Sequence, residues 1–268
     1  RIATPHLMKT TGGARESGGL PEVFIGCGVA IRRERFLQQG GYDAAFNYYA
    51  EEYDLAARII QAGGRIAFDP RFIVHHLKDM RNRDFNTIIG RLVRNNGWVM
   101  QRYAPESERI ERMRETRTRY RRIAMHENSV AGYTQGLIEL RRTLRDQPRR
   151  EMSQHHWDRF TGLDAARYAL HAAYQRSPFR TAAIVDAGKN AWVVARALDE
   201  LGVRLTGEGE EAEAIVIGTM SPGPLLDAWE RRIRRVTSYG PRVLTPWVIG
   251  EPATRVVHPA HTRITAAA

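Results

Sequence analysis

Cysteine and long apolar runs are what this 268-residue sequence has least of. Its single cysteine, Cys27, excludes an intramolecular disulfide and a multi-cysteine zinc site, and it suits a reducing compartment. No stretch approaches the ~18 consecutive apolar residues of a transmembrane helix, and residues 1–5 do not begin an apolar signal segment. We therefore expect a cytoplasmic protein. Because the sequence also opens without methionine, we expect it to begin inside a longer protein.

Acidic residues are outnumbered, since 30 Asp and Glu stand against 41 Lys and Arg, which gives a formal net charge of +11. Almost all of the basic residues are arginine. An excess of this size attracts polyanions such as nucleic acid, anionic lipid headgroups or phosphorylated substrates, and composition alone does not choose among them. With 43 % hydrophobic and 26 % charged residues, the sequence is otherwise typical of a globular protein large enough to bury a core.

The first part of the chain combines glycine-rich turns with short apolar segments. Residues 9–20 contain four glycines and predict a loop. Residues 23–31 (VFIGCGVAI) predict a buried strand that another backbone or a ligand approaches closely at its glycines. A short helix is predicted over 33–40, and a second helix is predicted from Glu51 to about residue 62, where a glycine pair ends it.

The remainder of the chain predicts strands, then helices, then both in alternation. Residues 65–76 predict a strand, an Asp-Pro turn and a second strand. Residues 84–103 and 106–176 predict mostly helices, part of them rich enough in charge to be solvated on most sides. From residue 180, strands alternating with helices predict a small parallel, doubly wound α/β unit. The regions expected are 1–103, a basic helical segment at 104–177, a Rossmann-like α/β module at 178–250 and a tail at 251–268.

One ordered set of motifs lies in residues 24–76. It runs from a GCG strand and an arginine pair through GGYDAAF and AEEYDLAARIIQAGG to RIAFDP and FIVHH. In this order the motifs resemble the acceptor-side half of family 2 inverting glycosyltransferases of the GT-A fold. The residues that match the family's usual text are Gly26, Gly28, Arg32, Arg33, Gly40, Gly41, Asp43, Phe46, Glu51, Asp54, Leu55, Arg58, Ala62, Gly63, Pro70 and His75.

The resemblance implies an α/β fold that contains a partial GT-A glycosyltransferase half-domain. It implies an enzyme that moves a sugar from a nucleotide-sugar to a glycan or lipid-linked acceptor, with inversion and with the help of a metal. It also implies a nucleotide-binding half that precedes these motifs and carries an Asp-x-Asp metal motif. The 23 residues before the motifs are too few to supply that half. We therefore expect this chain to be part of a longer enzyme, and to be inactive alone.

The chemistry of such a transfer explains why these residue types are useful. An acceptor hydroxyl attacks an anomeric carbon while a nucleoside diphosphate leaves. A carboxylate within hydrogen-bond reach of that hydroxyl can accept its proton, and a divalent cation can neutralise the charge that develops on the diphosphate. A carboxylate at a helix N-terminus is kept ionised by the helix dipole, so it is expected to be available as a base.

By resemblance, Glu52 occupies the position of the catalytic base, although the family usually has the shorter Asp there. Glu51 and Asp54 are implied to orient the acceptor, and Asp54 to hold it or the neighbouring loops. His75 matches a position that often ligates the metal, which is implied to be Mg²⁺ or Mn²⁺. The glycine strand and the arginine pair supply further acceptor-binding residues, namely Gly26, Cys27, Gly28, Arg32 and Arg33.

Simpler interpretations of the same residues stay open. Acidic residues that open a helix often serve only as capping and dipole partners, and the arginine pair suits an exposed surface. The alternative function is a non-catalytic glycosyltransferase-like scaffold that binds a partner or the anionic inner face of a membrane. A nucleic-acid binder fits less well, because the arginine-rich helix carries few aromatic residues and no recognisable module.

The C-terminal region begins with AIVDAGKNAW, which resembles the start of a nucleotide-binding βαβ unit. The full G-x-G-x-x-G pattern is absent, since only Gly188 stands in this turn, and a structural or regulatory module is favoured over a working cofactor site. The later turn from Ser221 to Pro224 would place backbone amides at a helix N-terminus, a geometry that binds anions.

Overall fold

The computed structural model describes residues 2–10, 15, 18–76, 83–207, 210–234 and 241–248, of which 2–10, 70, 71 and 73 are described by their backbone alone. The expected tail at 251–268 lies outside the described residues. The elements in chain order are β1 (Ile2–Thr10), α1 (Arg33–Gln38), a 3-10 turn (Ala44–Phe46), α2 (Glu51–Gln61), β2 (Ile66–His76), α3 (Phe85–Tyr103), α4 (Glu106–His126), α5 (Val130–Thr143), α6 (Gln154–Thr161), α7 (Leu163–Arg176), β3 (Thr181–Val185), α8 (Ala191–Asp199), β4 (Arg204–Leu205), β5 (Ala214–Ile217), α9 (Pro222–Ile233) and β6 (Arg242–Leu244).

The chain is an α/β protein whose predicted helices are confirmed. Apolar residues at helical spacing bury one face of α2, including Leu55 and Ile59, and Gly63 ends this helix with a φ of +73° that glycine tolerates best. The region predicted as mostly helical contains α3 to α7. Among the described residues, no helix combines the length and the apolar character needed to cross a membrane.

Strands β1 and β2 form a parallel two-stranded sheet in which Ile2 pairs with Ile66 and Thr10 with His76. The prediction of an Asp-Pro turn is wrong, because β2 continues through residues 69 and 70 as one strand. The register of the pair shifts at this point, so Pro70, which has no N–H to donate, lies where the ladder is already interrupted. The loop predicted over 9–20 lies partly outside the described residues.

The buried strand predicted over residues 23–31 is also wrong. The backbones of Leu20 and Val23 exchange two hydrogen bonds of 3.0 Å, and the N–H of Gly28 donates to the carbonyl of Ile25 at 3.1 Å. The segment therefore forms two tight turns with isolated bridges rather than a ladder. Proline and glycine stand inside these turns, and their local preference for compact backbone outweighs the apolar pattern.

Helices α3, α4 and α5 pack side by side, with α3 and α5 in backbone contact. A Cβ atom added to Gly132 would lie 2.1 Å from the carbonyl oxygen of Asn86, and one added to Gly136 would lie 2.4 Å from that of Gly90. Only glycine fits at these two positions without moving the helices apart. This contact fixes α3, which carries side chains that support the site described below.

The second sheet has four parallel strands in the order β4-β3-β5-β6. It confirms the parallel α/β unit predicted from residue 180, although the two-residue strand β4 was not predicted. The chain leaves β3 through α8 to β4 on one side, and then crosses to β5 and β6 on the other side. The carboxyl ends of β3 and β5 therefore flank the point where the strand order reverses, which is where open α/β sheets bind ligands.

One hydrophobic cluster joins the two ends of the described chain. It includes Phe24 near the N-terminus, Trp157 in α6 and Ala182 in β3, all of them buried. Phe68 of β2 packs against Trp247 after β6, with ring centroids 5.5 Å apart. The core therefore runs continuously beneath the region that separates α2 from the second sheet.

Candidate functional site

A cavity of about 880 Å³ lies between the first turn of α2, helix α4 and the carboxyl ends of β3 and β5. It coincides with the strand-order reversal of the second sheet, and α2 closes it from the opposite side. Its charged, histidine and tyrosine wall residues are Tyr42, Tyr48, Tyr49, Glu51, Glu52, Tyr53, His76, Arg83, Arg119, Tyr120, Asp186, Lys189, Asp227 and Arg231.

Glu51 and Glu52 enter this cavity from the N-terminus of α2. Each carboxylate has one oxygen, Oε2, that is shielded from solvent and makes no hydrogen bond. Burial, followed by the neighbouring charge of Glu51, raises the pKa of Glu52 from 4.5 to about 7. The helix dipole was expected to keep this carboxylate ionised, but burial and the second carboxylate outweigh it. At neutral pH Glu52 can therefore either hold or accept a proton.

The chain reaches α2 through four consecutive residues in the left-handed region. The φ angles of Asn47, Tyr48, Tyr49 and Ala50 are 47°, 80°, 72° and 66°. None of the four is glycine, so each carries the steric cost of a Cβ in this region, and such strain is typical of functional segments. The run turns the backbone sharply before α2 and so sets where the first-turn carboxylates point.

Asn95 of α3 holds this strained run in place. Its side-chain amide is fully buried and donates to the carbonyl oxygens of Phe46, Tyr48 and Tyr49 at 2.8, 3.0 and 2.6 Å. Arg94 adds a further donor to the Phe46 carbonyl at 3.1 Å. An amide nitrogen with two hydrogens thus serves three carbonyl acceptors, so at least one hydrogen is shared between two of them.

Asp54 lies outside the cavity and is used structurally. Its carboxylate is 1 % exposed and accepts hydrogen bonds from Arg102 at 2.8 Å and from Tyr103 at 2.7 Å. Arg58 binds the other oxygen at 2.7 Å and also donates to the carbonyl of Gly41 at 2.8 Å. The structure therefore assigns Asp54 to the loop-holding role, and its oxygens have no free position for an acceptor.

The glycine segment and the arginine pair divide between the cavity and the surface. Gly26 and Cys27 are exposed and line the cavity, whereas Gly28 is buried and does not line it. Arg32 and Arg33 are exposed at the start of α1 and also lie away from the cavity wall. Of these five residues, two therefore line the same cavity as Glu52.

His75, the implied metal ligand, is exposed and does not line the cavity, but its neighbour His76 does. Successive side chains of a strand point to opposite faces, so a shift of one residue decides which histidine lines the cavity. Within the part of the chain that the structure describes, no group of three His, Cys, Asp or Glu side chains is placed to hold a metal ion. The residues present do not fit the implied Mg²⁺ or Mn²⁺ site by themselves.

Lys189 and Arg119 are cavity residues that the sequence did not single out. Lys189 follows β3 in the turn that carries Gly188, and Arg119 comes from the arginine-rich helix α4. A lysine in a chain whose basic residues are almost all arginine was the available signal for the first of them. No local pattern distinguishes Arg119 from its solvated neighbours.

At the start of α9, where an anion-binding turn is expected, the side chain of Ser221 is already bonded to the chain itself. The Ser221 hydroxyl donates to the carbonyl of Gly18 at 2.6 Å and accepts from the N–H of Gly18 at 2.9 Å. Arg15 reaches further along α9 and pairs with Asp227 at 2.6 Å. Arg15 and Gly18 therefore contact α9 and the turn before it, and the cavity lies beside these contacts.

The cavity combines a carboxylate pair, of which Glu52 can take up a proton near neutral pH, with the basic side chains of Lys189 and Arg119 from distant parts of the chain. It is a chemically varied crevice at the position where α/β sheets bind ligands. No protein-family model, no curated protein and no solved structure matches the chain.

Proposed function

We propose that this chain forms the acceptor side of an inverting, nucleotide-sugar-dependent glycosyltransferase of the GT-A type, with Glu52 as its catalytic base. The observation that carries the proposal is the carboxyl group of Glu52, a residue that lines the cavity, has one shielded oxygen without a hydrogen-bond partner and has a pKa raised to about 7. A base works best when its pKa is near the operating pH.

In the proposed reaction the acceptor hydroxyl donates a hydrogen bond to the carboxylate of Glu52. The hydroxyl oxygen forms a bond to the anomeric carbon while the bond from that carbon to the diphosphate oxygen breaks. The departing diphosphate keeps the electron pair, and the hydroxyl proton passes to Glu52. Gly26 and Cys27 form the wall beside the carboxylates and leave room for a saccharide, because Gly26 has no neighbouring atom within 4 Å of an added Cβ.

Glu51 and the left-handed run have supporting roles in this scheme. The negative charge of Glu51 helps to keep the pKa of Glu52 high. A carboxylate with a higher pKa binds a proton more tightly, so Glu52 is a stronger base than an ordinary glutamate. The hydrogen bonds from Asn95 to the left-handed run fix the direction of the Glu51 and Glu52 side chains before substrate arrives. Such preorganisation contributes several kcal/mol to a transfer reaction. Residues that bind the donor nucleotide are proposed to lie outside this chain.

The test is sugar transfer from a panel of nucleotide-sugars to saccharide acceptors, measured in the full natural polypeptide that contains this chain. Glu52→Gln should lower kcat on the order of 10²-fold or more with little effect on nucleotide binding. Glu34→Gln removes an exposed carboxylate on α1 and is the matched control, for which full activity is expected. Unchanged turnover of Glu52→Gln would remove Glu52 from the mechanism and favour the scaffold function.

The dependence of the rate on pH adds a second criterion. The base must be ionised to accept a proton, so kcat/KM should rise as pH increases through about 7, following the pKa of Glu52. Glu52→Asp should keep activity that still depends on pH, since it restores the carboxylate usual at this position. A profile that is flat between pH 5.5 and pH 8.5, a window of roughly one to two units around that pKa, would contradict a base at this position.

A further inference from the structure

Helix α4 carries acidic residues only in its first half, although arginines run along its whole length. The ion pairs within this helix all lie between Glu106 and Glu115. After Glu115 four arginines follow, and no acidic residue occurs before the helix ends at His126. Helices that face only water usually mix both signs of charge, because pairs at i,i+4 stabilise them. The second half of α4 therefore presents positive charge alone.

Arg114, Arg117 and Arg121 form one exposed stripe along this helix. They are separated by three and four positions, the spacing that places side chains on one face. Within the part of the chain that the structure describes, none of the three makes a hydrogen bond or an ion pair, and neither does the exposed Arg122 beside them. Arg119 lines the cavity and, being two positions from Arg117 and from Arg121, lies on the other side of the helix. The stripe therefore faces away from the cavity.

Exposed apolar side chains stand at both ends of the same stripe. Ile110 is 66 % exposed and lies four positions before Arg114, and Met125 is 61 % exposed and lies four positions after Arg121. Val130, which begins α5, adds another exposed apolar side chain just beyond the end of α4. Single exposed apolar residues are ordinary on a protein surface, but these share one helix face with unpaired arginines. A helix that lies in a membrane interface combines the same two kinds of side chain.

The positive charge of this face would attract nucleic acid as well as lipid, and its apolar side chains favour lipid. Proteins that bind single-stranded nucleic acid stack bases on aromatic side chains, and Tyr120, the one aromatic residue of α4, is 7 % exposed. An isoleucine or a methionine gains nothing from a phosphate backbone. Either can leave water at the boundary between lipid headgroups and acyl chains.

We propose that the outer face of α4 docks on a membrane surface that contains acidic phospholipids. Arg114, Arg117 and Arg121 lie among the phosphate headgroups, and Ile110 and Met125 enter the acyl boundary. The two apolar side chains are about 22 Å apart along the helix axis, so the helix lies parallel to the surface. Since the other side of α4 lines the cavity, docking holds the crevice roughly 10 Å, one helix diameter, from the headgroups. The docking does not depend on the role of Glu52.

Sedimentation of the protein with vesicles tests this docking. The parent should bind vesicles of equal parts phosphatidylcholine and phosphatidylglycerol, and it should not bind vesicles of phosphatidylcholine alone. One arginine near such a surface contributes about fivefold to the affinity, so loss of three should weaken binding about a hundredfold. The variant that removes them carries Arg114→Gln, Arg117→Gln and Arg121→Gln.

The matched control removes the same charge elsewhere. It replaces three exposed arginines outside α4, namely Arg176→Gln, Arg180→Gln and Arg234→Gln, and it should sediment nearly as the parent does. Far-UV circular dichroism and thermal melting establish that the variants fold. Absence of binding by the parent, or equal losses in the folded test and control variants, would overturn the docking.

The apolar side chains separate a membrane from a nucleic acid. Ile110→Ser combined with Met125→Ser should weaken vesicle binding about tenfold, since less apolar area leaves water. Leu37→Ser combined with Ile233→Ser is the matched control, because both residues are exposed and lie on α1 and α9. Vesicle binding that is unchanged in the α4 pair would overturn the docking, and tight binding of an oligonucleotide would then assign this face to nucleic acid.

Vesicle binding and sugar transfer can fail separately. Glu52→Gln should bind vesicles as the parent does, because Glu52 lines the cavity and does not lie on the outer face of α4. A variant of the α4 stripe that binds no vesicles should still transfer sugar to a water-soluble acceptor. The failure of the docking is therefore distinguishable from the failure of the proposed base.

Discussion

The carboxylate of Glu52 should make the stability of this protein depend on pH in a defined direction. Its pKa rises from 4.5 to about 7 on folding, first because of burial and then because of Glu51. Below pH 4.5 the group is protonated in both the folded and the unfolded chain. Between pH 4.5 and about pH 7 the unfolded chain loses this proton and the folded chain keeps it. The free energy of unfolding therefore falls as pH rises, and the fall ends above about pH 7.

The magnitude follows from the size of the shift. One pKa unit corresponds to about 1.4 kcal/mol, so the shift from 4.5 to about 7 gives an upper limit of about 3 kcal/mol between pH 4 and pH 8. Because the side chain is only partly shielded, a measured value of about 1–3 kcal/mol is expected. Glutamine cannot ionise, so Glu52→Gln should lack this fall and should gain stability relative to the parent as pH increases.

The measurement is urea-induced unfolding of parent and variant at steps across this pH range. The difference between their free energies of unfolding is the informative quantity, because groups remote from the carboxylate pair titrate alike in both proteins. Glu34→Gln, with an exposed side chain on α1, should track the parent at every pH. Parallel stability curves for the parent and Glu52→Gln would refute the argument, since they would show that Glu52 is as hydrated in the folded protein as in the unfolded one.

Two further predictions concern residues that support the site. Asn95→Ala should lower the free energy of unfolding by about 2–3 kcal/mol, because three carbonyls lose a buried donor. Asn95→Asp should lower it by a similar amount. An unchanged melting temperature of either variant would show that Asn95 does not hold residues 46–49 in place. Asp54→Asn should cost about 3 kcal/mol, since Arg58 and Arg102 lose a buried counter-charge. If stability were instead unchanged and the KM for acceptor rose, Asp54 would bind substrate.

Much of the secondary structure follows from local sequence. Helix α2 has apolar spacing, acidic residues in its first turn and a terminal glycine, and the alternation of strands and helices after residue 180 predicts the parallel sheet. The missed features depend on contacts between distant residues. β1 becomes a strand because β2 lies beside it, and the turns at 20–28 are selected by proline and glycine although the segment is apolar.

Only the α2 side of the candidate site could be predicted from the sequence. The order of motifs points to Glu51 and Glu52, but the partner surface comes from residues far along the chain, since Lys189 and Tyr53 are 136 positions apart. The pKa of Glu52 was expected to be low from its place at a helix N-terminus, and it is raised because burial is a tertiary property. The same limitation explains why His76 rather than His75 reaches the cavity, since the face of a strand depends on its register.

The packing of Phe68 on Trp247 bears on whether the chain can be divided into fragments that fold alone. Division of the chain near Pro178 would leave Phe68 in one fragment and Trp247 in the other, and each fragment would expose the apolar surface that the other covers. Excised fragments should aggregate rather than behave as small independent proteins, and a foreign α/β module grafted after α7 would have to reproduce the lost contact surface. The described residues from β3 to Trp247 thus share one core with the rest of the chain and supply part of the crevice wall.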